Sequence, residues 1–211
     1  MNPASLRPRL RSAGLVLVAV ALCALPAACA HAPRPLPMPG PGASLPRVAV
    51  VPLENLSTLA EAGDRLTRLI FTGLVRTGRC EVVEAGDVDR AMEDLRIRPV
   101  GTLTREELGG LRDSLHVDYV LAGSVLEAGT LHTPDGDVPA LAVALKLLDA
   151  RTGRVIWAQM KARSGEDRET IFGWGRVLDR EAVATELTTD LFEDFHLPAA
   201  TDTAAVKGTG R

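Results

Sequence analysis

Val117 to Leu126 constrain this chain more than any other stretch, because Tyr119, Val120, Leu121, Ala122 and Val125 put apolar side chains on both faces of one strand. Such a strand has to be covered above and below, which places it inside a sheet with a packing layer on each side. Leu141 to Leu148 repeats the pattern, and Arg151-Thr152-Gly153-Arg154 reads as a tight turn into a further strand, Val155 to Ala162. These last two strands are expected to form a hairpin. Gly123, in the interior of the first, marks a point where a side chain would crowd the sheet.

Upstream, Arg47 to Leu53 is an apolar strand run, with Glu54-Asn55-Leu56-Ser57 as the loop after it. Thr58 and Glu61 have capping-box spacing, and the helix they open carries Leu59, Leu66, Leu69, Ile70 and Leu74 on one face and stops at Gly78. Cys80 to Glu84 is a short second strand in which Cys80 acts as a small buried apolar side chain. Asp87 is expected to cap a helix bearing Val88, Ala91, Met92 and Leu95, ended by Arg96-Ile97-Arg98-Pro99. Thr104 with Glu107 forms another capping box, ahead of Leu108, Leu111 and Leu115. A final helix, roughly Leu178 to Phe195, buries Val183, Ala184, Leu187 and Leu191. The order predicts an α/β fold, a single domain with a mixed β-sheet of about five strands and helices packed on it.

That domain is expected over residues 47–197. Before it, residues 29–46 alternate proline with other residues from Pro33 to Pro41, which forbids helix or ladder and predicts an extended tether. At ~3.1 Å per residue its reach is on the order of 50 Å. After it, residues 198–211 are small and polar and have nothing to bury.

Residues 1–28 read as a bacterial export signal: Arg7, Arg9 and Arg11 with no acid, then an uncharged, mostly apolar run from Ala13 to Leu25, closing on Ala27-Ala28-Cys29. A cysteine after two small residues resembles a lipobox, in which signal removal leaves Cys29 as a lipid-bearing N-terminus and tethers the domain to a membrane. Pro26 stands where that pattern has a branched apolar residue. Two other readings stay open, cleavage at Ala28-Cys29-Ala30 to release a chain beginning at His31, and retention of the segment as an anchor. All three place the domain outside the cytoplasm. Without residues 1–28 the chain keeps 21 basic against 27 acidic residues, a formal charge of -6, so nucleic acid is not an expected partner.

Four segments carry a family resemblance: RVAVVPLENLS, GRCEVVEAGDVDRAMEDL, LHVDYVLAGSVLEAG and LLDARTGRVIWAQMKARSG, in order over most of residues 47–165. Together they resemble the CsgG/LpoB/TolB-N-like bacterial envelope lipoproteins, with their FlgO-type relatives. The resemblance implies this fold and an envelope location. Members like the penicillin-binding-protein activator are tethered periplasmic docking domains, which matches the layout here. Members like the curli-secretion channel form pores from long amphipathic hairpins, whereas Ala128 to Pro139 reads here as a short polar loop. Ala30 after the cysteine favours outer-membrane sorting by analogy with known lipoproteins.

The groups an enzyme needs are not expected. His31, His116, His132 and His196 show no metal-ligand spacing and accompany no nucleophile motif, and Gly173-Trp174-Gly175 lacks the rest of a dinucleotide loop, so no cofactor is expected. Trp174 is either packed under the last helix or a binding hot spot. Glu186, Asp190, Glu193 and Asp194 lie at i, i+4, i+7 and i+8 near the negative end of the last helix, with no basic residue between Glu181 and Phe195. They form either a solvated face or a docking stripe for a basic partner. The expected function is that of a non-catalytic adaptor for another envelope protein, held at the periplasmic face of the outer membrane by its N-terminal lipid. The alternative is a subunit of an oligomeric secretion or appendage assembly.

Overall fold

In a computed structural model of the chain, the residues described are 45–98, 101–134, 136–168 and 175–197. Six strands and four helices are found among them: β1 Arg47–Val50, β2 Glu54–Asn55, α1 Ala62–Thr77, β3 Glu81–Val82, α2 Ala85–Leu95, α3 Arg105–Leu115, β4 Tyr119–Thr133, β5 Gly136–Asp149, β6 Val155–Ser164 and α4 Arg180–Phe192. They form one mixed sheet in the order β3-β1-β4-β5-β6. β1 runs parallel to both β3 and β4, and the pairs from β4 to β6 are antiparallel.

Helices cover the sheet on both faces, as the two-sided burial of β1 and β4 requires. On one face, Val48, Val50, Leu121, Val125, Val143, Leu145 and Leu147 pack beneath Leu66, Ile70 and Leu74 of α1 and Val183, Leu187 and Leu191 of α4. On the other, Ala49, Val51, Val120, Ala122 and Leu148 meet Val88, Ala91 and Met92 of α2 and Leu108 and Leu111 of α3. The α1 and α4 helices pack tightly at Gly73, where an added Cβ would lie 2.7 Å from the Thr188 methyl and 3.0 Å from the Phe192 ring. The end of α4 is fixed under β6 by aromatic packing. Trp157 lies parallel to Phe192 at 6.3 Å and edge-on to Phe195 at 5.2 Å.

Several expected boundaries move. The Thr58–Glu61 capping box does not form: α1 starts after Glu61, which has helical backbone angles and makes no side-chain cap. Asn55 organises the approach instead, with Nδ2 donating to the carbonyls of Leu59 and Ala60 and Oδ1 accepting from the Ser57 amide. Asp87 is not a cap either. Glu84 takes that place by accepting from the Gly86 amide, and Asp87 sits in the first turn, where an acid suits the helix dipole. Leu95 is 40% exposed. The capping box of Thr104 and Glu107 is present in both directions.

The largest difference concerns Ala128 to Pro139. It is not a loop. β4 and β5 stay paired from Tyr119↔Asp149 out to Thr133↔Gly136, with a β-bulge between Val125 and Glu127. The bulge shifts the alternation by one residue, so that Ala128 turns inward opposite Leu141 and Glu127 stays exposed. The sixth strand, β2, occupies what reads as loop sequence. Glu54 and Asn55 pair in parallel with Ser124 and Val125, and the Glu54 carboxylate accepts from Ser124 Oγ and from the Gly101 amide, both at 3.0 Å.

Gly123 meets the expectation placed on it: an added Cβ would overlap the Ala144 carbonyl oxygen and lie 2.8 Å from Leu145 Cδ2. Gly123→Ala is expected to destabilise the domain by about 1–3 kcal/mol, measured by thermal or urea unfolding, because the clash is with backbone that cannot turn aside. Cys80 is buried, and that burial pushes its thiol up to about 11. At pH 8 a thiol reagent should label Cys80 slowly in the folded chain and rapidly in denaturant. Equal rates would show that the strand around it is open.

Candidate functional site

Beyond Val125, β4 pairs with β5 alone among the described residues, while β5 keeps β6 as its other neighbour out to Ala140, so the hairpin projects as a two-stranded arm only from Thr130 and Pro139 to its tip. A half-buried arginine holds this arm to the chain that follows β6. The Arg176 Nη2 donates to Thr133 Oγ1 at 2.9 Å, to the Gly136 carbonyl at 2.8 Å and to Glu166 Oε1 at 3.2 Å. Near the tip, His132 Nδ1 and Asp137 Oδ1 lie 2.7 Å apart on the surface.

A second arginine organises the flank between β6 and α4. Arg163 donates through Nε and Nη2 to Asp190 Oδ2, each at 2.6 Å, and its Nη1 lies 3.5 Å from Asp167. Burial works to raise the Asp167 carboxyl, but the Ser164 amide and hydroxyl and the Arg163 guanidinium outweigh it, and the group is held below its ordinary value. One turn earlier on α4, Glu186 is 3.0 Å from Arg168.

This arrangement divides the four acids of the expected docking stripe. Asp190 and Glu186 are half-buried and ion-paired to arginines of β6 and of the chain after it, whereas Glu193 and Asp194 are exposed and make no ion pair among the described residues. Reversing all four would therefore not relieve repulsion alike. The offsetting cations stand 18 and 27 residues away in sequence, which is why the helix by itself gives no sign of them. Cys29 and Trp174 lie outside the described residues. The described histidines occupy local structural places: His116 closes α3 at φ 56°, and the His196 ring contacts the Asp194 carbonyl. No three His, Cys, Asp or Glu side chains converge on a metal position among the described residues.

A notch opens where α1, α4 and the hairpin meet, with a volume of about 20 Å³. Its floor is Leu66, Leu69, Ala128, Leu141 and Ala184, and Arg65, Arg180 and Glu181 stand at its rim. Arg65 is ion-paired to Glu181. The inward turn of Ala128, which supplies part of the floor, comes from the bulge and has no signature in the sequence.

With this geometry in place the chain can be set beside known proteins. No family model matches it, and no curated protein does. Among solved structures it is similar to the lipoprotein GNA1162 from Neisseria meningitidis, with a TM-score of 0.50 and 18% identity over 62% of this chain and 90% of that one. The likeness at this identity is one of fold: the mixed sheet with helices on both faces is an architecture this chain shares with a lipoprotein. Looser likenesses are the PelC dodecamer from Paraburkholderia phytofirmans, at 0.49 and 23% over 71% and 88% of the two chains, and the LpoB C-terminal domain from Escherichia coli, at 0.43 and 21% over 58% and 85%.

The paired and unpaired acids should part in a stability measurement. Asp190→Asn is expected to cost about 1–2 kcal/mol, since it removes the negative charge paired with the half-buried Arg163. Glu193→Lys should be neutral or stabilising by a few tenths of a kcal/mol, because a cation suits the end of a helix. Equal effects in urea unfolding would mean that the ion pair contributes nothing.

Proposed function

We propose that this chain is a non-catalytic envelope lipoprotein whose α/β domain, carried on a Pro-rich tether, serves as an adaptor or activator for another envelope protein at the periplasmic face of the outer membrane. The observation that carries this reading is the pairing of a fold shared with a lipoprotein and a leader that ends on Ala27-Ala28-Cys29. The projecting hairpin and the clamped segment after β6 offer a partner a surface built on rigid elements, which suits docking. Penicillin-binding-protein activation is the member-level reading that the tethered layout supports best.

The second reading is a subunit of an oligomeric assembly, and one observation favours it. On the face that α2 and α3 occupy elsewhere, β6 leaves Ala158, Ala162 and the 68% exposed Met160 uncovered at the edge of the sheet. An exposed apolar sheet edge is a ready site for a second copy. Native mass spectrometry of the mature chain distinguishes the readings, a monomer supporting the adaptor and a ring-sized mass the assembly. The outer hairpin is a poor barrel strand pair, since Thr130, His132 and Asp137 make one face polar and Glu127 interrupts the other.

Anchoring has its own test. The intact mass of the mature protein should show Cys29 as a lipid-bearing N-terminus, and Cys29→Ser should release the domain from the membrane fraction. An unmodified N-terminus at His31 would overturn the lipoprotein reading.

A further inference from the structure

β6 ends the sheet, and its outer side pairs with no other strand among the described residues. The phase of its free backbone groups follows from the end of the strand. The Gly165 amide donates inward to the Pro139 carbonyl, whereas the Ser164 amide turns the other way, to Asp167. Strand residues alternate in this respect with period two, so Ala158, Met160 and Ala162 aim their amides and carbonyls at the open side. Their side chains are exposed on the face away from α4, beside the half-buried Ala142 and Ala144 of β5. The devices that usually blunt an edge are few here. β6 has no proline, its one irregularity lies back between Val155 and Trp157, and Arg163 is drawn inward by Asp190 and Asp167.

A second copy of β6 suits this edge in one antiparallel register. With Met160 set against the partner's Met160, Ala158 meets the partner's Ala162, and each such pair exchanges both of its backbone hydrogen bonds. On the α4 face the same register sets Lys161 against the partner's Gln159 and Arg163 against the partner's Trp157, so no like charges stand opposite. A shift of two residues in one direction would set Lys161 on the partner's Lys161. In the other direction it would draw Ala162 onto the partner's Ile156, where the β-bulge breaks the ladder. Along α4, Glu186 and Asp190 are already neutralised by Arg168 and Arg163, so this flank carries no uncompensated charge toward its counterpart. We propose that two copies of this chain pair through β6, antiparallel and about a two-fold axis at Met160, into one continuous sheet. The pair uses both open edges and closes at two chains, whereas a ring needs two different surfaces on each chain. The inference starts from the edge named for the assembly reading and goes beyond it, and an adaptor of this form would carry two tethers and two docking faces.

The test uses the mature chain with Cys29→Ser, which leaves out the lipid and its thiol. Sedimentation over a range of concentrations should give a mass of two chains. Met160→Lys sets like charges face to face on the axis and should weaken the pair at least about tenfold. Because Met160 is exposed, near-UV circular dichroism should show the fold of that variant unchanged. The register is read by mild oxidation. Met160→Cys should crosslink to itself, and a mixture of Ala158→Cys and Ala162→Cys should crosslink where neither does alone. A single-chain mass at every concentration would overturn the pair and leave the adaptor reading standing, and a ring-sized mass would overturn it in favour of the assembly. A pair that Met160→Lys does not weaken, no crosslink from Met160→Cys, or Ala158→Cys crosslinking to itself as readily as in the mixture would each overturn it as well.

Discussion

The pairing of β4 with β5 is the constraint on which the rest of the structure depends. From Tyr119 to Val125, β4 is also paired on its other side, by β1 and then β2, and its side chains fill both cores. A register error of one residue would exchange the two cores, moving Leu121 and Val125 from the α1–α4 layer to the α2–α3 layer. The bulge after Val125 then resets the alternation. Without it Glu127, not Ala128, would face α1 and α4, and a carboxylate would sit where the notch now has a methyl floor. One inserted residue thus separates a core-forming strand from a surface-forming one.

Whatever is set by local periodicity was legible in the sequence. The three two-sided or half-buried strands, the apolar face of the last helix, the capping box at Thr104 and the crowding at Gly123 all appear where residue spacing and side-chain size put them. The outer hairpin was not legible. Its Gly129, Pro139 and Gly136 carry turn chemistry, its polar positions resemble a loop, and the bulge breaks the period of two that would have identified it. Likewise Glu54 and Asn55 are strand residues by position alone, since β4 is already in place to receive them. At the start of α1, Thr58 offered the capping pattern, but the Asn55 side chain reaches two carbonyls and one amide, and this denser set of bonds decides the local path.

The candidate site shows the same division more sharply. Sequence spacing finds the acids of α4, because they lie on one helix. It cannot find Arg163 and Arg168, which reach those acids from β6 and the segment after it, nor the notch, whose floor comes from α1, α4 and both arms of the hairpin. Surfaces assembled from distant parts of the chain are legible only once the topology is known. Here that topology rests on Trp157, Phe192 and Phe195, whose mutual packing sets α4 against β6 and so brings Asp190 to Arg163.

The place of β1 in the sheet has a mechanical consequence. The first strand after the Pro-rich segment is not an edge but lies between β3 and β4, parallel to both, with the Val51 and Val83 amides extending the ladder on either side. A pull on the chain ahead of Arg47 is therefore directed along β1, and it loads the bonds to both neighbours together in shear. An edge strand would yield by unzipping one bond at a time. A domain anchored through its N-terminus and bound at its far side to a moving partner would be loaded in this way, and the fold resists that load with a strand packed on both faces.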